Sequence, residues 1–294
     1  MQFRTDLALE QKEMLEEERR LPQGVDSDEV HMGKVRITRI RVSGEAGEKA
    51  LGRKRGTYVT VEVPPFSDDA GLDEDALTAV RRELTALLPS KGTVLVAGLG
   101  NTRITPDALG PKTAARILAT RHISGEVARS AGLGELRPVA ALAPGVLGQT
   151  GIETSEIIAG SVERIHPAAV IVVDALASRR LARLGCTVQI SDTGIAPGAG
   201  VGNRRQEISR ETLRVPVISM GVPTVVDAVT LARDLLDGHD APDQMVEPRG
   251  AGMIVTPREI DLLIDRAAQL VAHAINCALQ PELDSELLLS LTDV

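Results

Sequence analysis

Polar and apolar residues alternate with a period of two over 34–42 (KVRITRIRV) and 57–63 (TYVTVEV), the pattern of strands with one buried face. A polar, glycine-containing loop, 43–56, separates them, so an antiparallel ribbon is predicted. The pattern then changes to a helix over 73–88, opened by acidic residues that suit its N-terminal dipole and stopped by Pro89. Beyond it, near-continuous Val/Ile/Leu runs at 93–98, 137–143, 169–174, 187–191 and 215–221 interleave with helical patterns. Those helices are predicted over 106–119, 154–165, 176–184 and 225–236. Strands buried on both faces and alternating with helices predict an α/β fold: a doubly wound, three-layer sandwich around a mostly parallel mixed sheet.

The ends of the chain read differently. Residues 7–20 form a charged helical pattern expected as a surface arm, and 21–29 read as a linker. The domain expectation is therefore an N-terminal arm over 1–30 and a single α/β domain over 31–294. Residues 237–253 mix Gly, Pro and charge over too long a span for a tight connection, and a mobile loop is expected there. Thr256-Pro257-Arg258-Glu259 has the form of a capped helix start, which predicts a helix to about Cys277. The tail, 282–294, reads as an amphipathic terminus.

Composition narrows the class. The 294 residues are 43% hydrophobic, with no Trp, one Tyr and two Phe, so the core must be aliphatic. The net charge of −8 offers no general basic footprint for nucleic acid. Cys186 and Cys277 are isolated thiols, expected as packing residues in a reducing cytosol. The first twenty residues contain no apolar signal core, and no membrane-spanning run stands out, so a soluble cytoplasmic protein is expected.

Candidate chemistry centres on carboxylates. Asp107, in GLGNTRITPDALGP (98–111), and Asp174, in VIVVDALAS (170–178), each lie where a predicted strand gives way to the next segment. Side chains beyond the C-terminal ends of parallel strands converge on one crevice, and two carboxyls meeting there can share a proton and activate water. Each also has a plainer reading: Asp107 as a first-turn acid facing a helix dipole, Asp174 as a strand-end group bonded to local backbone. Asp192, in SDTGIAPGAGVGN (191–203), is a second-rank candidate. Its Asp-Thr-Gly occurs once and in an α/β setting, which excludes the two-loop, all-β pepsin arrangement. GLGN lacks the rest of a dinucleotide fingerprint, no Walker lysine follows, and the five histidines show no paired metal spacing. Neither a cofactor nor a metal is called for.

Taken together, GLGN with TPDALGP, TRH (120–122), PGVLGQTGIETSEII (144–158), VVDALAS (172–178), QISDTGIAPGAGVGN (189–203) and GVPTVVDAV (221–229) resemble the germination protease family. The likeness begins at RTDLALE (4–10) and covers nearly the whole chain. It implies an atypical aspartic endopeptidase that cleaves small acid-soluble spore proteins at germination, with Asp107 and Asp174 as the catalytic pair. It also implies a phosphorylase/hydrogenase-like fold, a homotetramer, an inactive precursor and a location in the cytoplasm of the spore core. Only Met1, Gln2 and Phe3 precede RTDLALE, so the expectation is that a long propeptide is missing. Ala199 stands where family members often have serine. Two other readings are a hydrogenase-maturation-type, metal-dependent endopeptidase and a non-catalytic glycine-loop module for a phosphate-bearing ligand.

Overall fold

The computed structural model describes residues 5–17, 23–68, 72–199, 205–235 and 253–292. Their strands are β1 (Val25–Met32), β2 (Val35–Val42), β3 (Gly56–Glu62), β4 (Val94–Gly98), β5 (Val139–Leu142), β6 (Ala169–Ser178), β7 (Thr187–Ser191), β8 (Val217–Asp227) and β9 (Ile254–Val255). They form one sheet in the order β1-β2-β3-β7-β8-β6-β4-β5, with β9 paired to β8. Parallel pairing is confined to β5, β4, β6 and β8, and every other pairing is antiparallel. The α/β layering read from the sequence is thus present, with its parallel character concentrated in one half of a mixed sheet.

Helices cover both faces. On one lie α3 (Glu74–Leu87), α4 (Leu109–Ala115) and α10 (Ile260–Leu279), packed on Val94, Val96, Ile171, Val173, Ile218 and Met220. On the other, α7 (Thr154–Ile165) packs Ile158 and Val162 against Leu95, Ala97, Val170 and Val172. Consecutive residues of β4 and β6 therefore feed opposite cores, which is why these strands lack polar alternation. The ribbon half of the sheet is covered by α1 (Ala8–Glu17) and α2 (Glu45–Leu51), which pack on Ile40, Val42 and Tyr58. Asp73 starts α3 as expected, its Oδ1 accepting the Ala76 N–H at 2.8 Å. The remaining helices are α5 (Gly125–Ser130), α6 (Leu147–Thr150), α8 (Arg210–Leu213), α9 (Ala228–Leu235) and α11 (Ser285–Thr292).

Several local expectations are overturned. Residues 25–29 of the expected linker belong to strand β1, whose central six residues are all exposed; an edge strand open on both faces leaves no hydrophobic period to read. The segment expected as a surface arm is anchored: Leu7 and Ala8 are fully buried, and the Glu10 carboxylate accepts the Arg179 and Arg180 N–H groups at 2.6 and 2.9 Å. The predicted helix over 176–184 is instead the end of β6 followed by a 3-10 turn, Leu181–Arg183, because β8 continues alongside through Val226. For the same reason strand persists to Asp227, where a helix was predicted from Val225. Thr256 caps nothing; its hydroxyl donates to the Thr224 carbonyl, and α10 begins at Ile260. That helix is long and apolar enough by composition to cross a membrane, yet it lies in the core, with Ile264, Ala267 and Val271 fully buried. Residues 1–4, 200–204 and 236–252, which include most of the expected loop, fall outside the described residues.

Candidate active site

The site is assembled past the C-terminal end of β4 and on the adjoining strand β6, its neighbour in the parallel half, where the strand-end place read from the sequence for Asp174 is overturned because β6 continues beside β8 to Ser178. All five residues of β4 are buried, and just past its end the Leu99 N–H donates to the Val173 carbonyl at 2.8 Å. The chain then reverses at Gly100, whose φ of +116° is closed to most residues; a Cβ there would lie 1.9 Å from the Asp107 carbonyl oxygen. This close approach lets one N–H, that of Asn101, reach both the Asp107 carbonyl at 3.1 Å and its Oδ2 at 2.8 Å. Asp107 ends a 3-10 turn, Thr105–Asp107, with Pro106 inside it. Sequence reading placed it in the first turn of a helix over 106–119; that helix is α4, which starts at Leu109 and ends at Ala115. Gly110 lets α4 abut the sheet, since a Cβ there would meet Leu99 backbone at 2.2 Å and the Val173 carbonyl at 2.5 Å.

Asp174 arrives by a different route. It sits inside β6, opposite Gly221 of β8, and is 6% exposed. Its Oδ1 accepts the Ala175 N–H at 2.9 Å. Burial, the negative charge of Asp107 and that of Asp6 hold its carboxyl well above the ordinary carboxylate range. Asp107 is half-buried, and desolvation raises it too, opposed by the Asn101 N–H. A helix dipole favouring ionised Asp107 was the sequence expectation; the observed counterweight is that single backbone donor. Of the two, Asp174 is the more disposed to keep its proton, being more deeply buried and facing the charges of both Asp107 and Asp6.

Both carboxyls line one cavity of about 420 Å³, with Ile104, Leu147 and Val225 among its apolar walls. Asp6 lines it as well and was not singled out from the sequence; its signal was its place in the matched string RTDLALE. Its N–H donates to the Ala177 carbonyl at 2.8 Å, and its Oδ2 accepts the Ala177 N–H at 2.9 Å. Gln189 brackets the same segment, donating to the Asp6 carbonyl and accepting from the Ala8 N–H, each at 2.8 Å. A second, more polar cavity of about 570 Å³ adjoins at Asp6 and Leu176 and contains Arg53, Lys54 and Tyr58. Asp192 is not brought to the pair: it is exposed, and its Oδ1 accepts the Thr57 N–H at 2.7 Å, fixing the start of β3.

An α/β sandwich with two carboxyls facing one cavity, one past the end of β4 and one inside the adjoining parallel strand β6, suits a hydrolase, and comparison with known proteins gives the class as a peptidase. A sequence model described as germination protease matches residues 4–238. The germination protease of Caldanaerobacter subterraneus subsp. tengcongensis is 44% identical, over 96% of this chain and 95% of that protein. That of Clostridium tetani is 42% identical over 97% and 98%, and that of Bacillus pumilus 37% identical over 97% and 95%. Among solved structures, a nickel–iron hydrogenase maturation protease from Thermococcus kodakarensis is 18% identical, covering 66% of this chain and 98% of that one at a TM-score of 0.37. The chain belongs to the germination protease family, and it is an endopeptidase of spore germination. The hydrogenase-maturation and binding-module readings are not favoured.

Proposed function

We propose that the enzyme is of the aspartic type, with Asp107 as general base and Asp174 as general acid, and that its substrates are small acid-soluble spore proteins. The observation that carries this reading is the shared cavity: two electrostatically coupled carboxyls with unequal burial. In such a pair the first proton is lost from the better solvated, better hydrogen-bonded member, leaving one carboxylate and one neutral acid. Ionised Asp107 takes a proton from water as the water oxygen attacks the scissile carbonyl carbon, while Asp174 donates its proton to the carbonyl oxygen. Collapse of the resulting gem-diol returns a proton to Asp174, Asp107 delivers its own to the leaving nitrogen, and the C–N bond breaks. Both carboxyls end as they began. Their titration belongs to the pair, so the observable pKa values are macroscopic.

Incubation of a purified small acid-soluble spore protein with wild type, Asp107→Asn and Asp174→Asn, with products mapped by mass, tests the assignment. Internal cleavage by wild type and cleavage slowed by roughly 100-fold or more in the folded variants is expected; near-wild-type cleavage by either variant removes it. With a net charge of −8 the enzyme has little attraction for DNA, so we expect it to take substrate free of DNA in the spore cytoplasm. Undiminished cleavage of substrate saturated with DNA contradicts that expectation. A homotetramer completes the proposal, and sedimentation of the purified protein measures the assembly.

A further inference from the structure

The geometry points to Thr224, on β8, as the positioning residue that sets the spacing of the two carboxyls; the inference rests on the catalytic reading of Asp107 and Asp174. Strands β6 and β8 run in parallel register from Val170 opposite Val217 to Leu176 opposite Pro223, and resume with Ala177 opposite Val225. Thr224 is the residue left over. A bulge of this kind disrupts the ladder and re-aims a side chain, here a hydroxyl that is fully buried at the cavity wall. It donates to the Pro106 carbonyl at 2.8 Å across 118 residues of sequence.

Pro106 O belongs to the peptide plane that immediately precedes the Asp107 Cα. The other polar contacts on that turn are local: Asp107 N–H to the Ile104 carbonyl at 2.8 Å, and the Asn101 N–H to Asp107 itself. Thr224 alone among these ties reaches from β8, the strand hydrogen-bonded to the one that carries Asp174. Its backbone is fixed in turn, since the Thr256 hydroxyl donates to the Thr224 carbonyl at 2.8 Å. Threonine suits this position because its γ-methyl fills apolar space and restricts χ1, while its hydroxyl satisfies a carbonyl that would otherwise be left to water. Without that donor the Thr105–Asp107 turn keeps its own hydrogen bonds but loses its fixed distance from the β6–β8 pair. Proton transfer between water, Asp107 and Asp174 depends on that distance.

The test compares Thr224→Val, which keeps the shape and removes the donor, with Thr224→Ser, which keeps the donor, on a purified small acid-soluble spore protein. For T224V, kcat falls about 10- to 100-fold, the range that misplacement of a catalytic group produces, while KM holds. The basic limb of its pH profile moves to lower pH, because a relaxed turn carries the Asp107 charge away from Asp174. T224S retains most of kcat and the wild-type profile. A merely structural role lowers the melting temperature of T224V and leaves the pH profile in place, and that result overturns the inference. Should T224V not fold, Thr224→Ala replaces it: activity kept by Ser and lost by Ala supports the tie, and equal activity in both contradicts it. The Asn variants of Asp107 and Asp174 are run alongside. If they remain active, the catalytic reading fails; if they are inactive while T224V matches wild type, only the role of Thr224 fails.

Discussion

Asp107 and Asp174 share a cavity, yet the chain delivers them in opposite ways. Asp174 is carried by the interior of a ten-residue strand whose neighbours are buried on both faces, so its place is fixed by the sheet, and burial pushes its carboxyl toward the protonated form. Asp107 stands on a short turn that exists because Gly100 takes a positive φ and Gly110 lets a helix press on the strand ends. One carboxyl is held by a rigid ladder and starved of water; the other is held by a few hydrogen bonds and keeps partial solvent access. On the proposed mechanism this difference supplies an acid and a base from the same functional group, and it makes the two positions vulnerable to different substitutions.

The largest effects come from the carboxyls themselves. Asp107→Asn and Asp174→Asn each lower kcat by roughly 100- to 10,000-fold, the contribution of a positioned acid or base, in steady-state cleavage assays on protein of native circular dichroism. Next comes the turn. Gly100→Ala forces a methyl onto the Asp107 carbonyl at a φ that disfavours it, costing about 1–3 kcal/mol in denaturant unfolding together with most of the activity.

Stability against pH separates the two carboxyls further. A carboxyl raised in the folded state binds its proton more tightly there than in the unfolded chain. Its ionisation therefore erodes stability as pH climbs from the ordinary carboxylate range toward the folded value. Asp174→Asn removes that loss, so the variant is expected to exceed wild type in unfolding free energy at neutral pH, with the margin shrinking as pH falls from the folded value toward the ordinary carboxylate pKa and levelling off below it. Asp107→Asn shows the same trend more weakly. The smallest effect is at Asp192: Asp192→Asn keeps near-wild-type kcat and loses about 1 kcal/mol at most, since the carboxylate serves one exposed backbone N–H.

How far this was legible in the sequence follows the same division. The aliphatic runs at 93–98 and 169–174 announced buried parallel strands, and an aspartate closing such a run announced itself as a group in need of a reason. What escaped was set by partners distant in sequence. The helical look of 176–184 yielded to pairing with β8, and the charges of 7–20, read as solvated, turn out to clamp α1: Glu13 and Arg183 form a two-point ion pair and Arg180 meets Glu17 at 2.7 Å. Asp6 and Thr224 were invisible for that reason too. Each lies in a string that carries the family likeness, but the role of either comes from a hydrogen bond spanning more than a hundred residues.

The pH dependence of kcat/KM for wild type, with the two Asn variants alongside, tests the central claim most directly. An acid–base pair predicts a bell, its acid limb set by loss of the first proton from the pair and its basic limb by loss of the second, with neither Asn variant retaining both limbs. A bell that persists unchanged in Asp107→Asn or Asp174→Asn contradicts it.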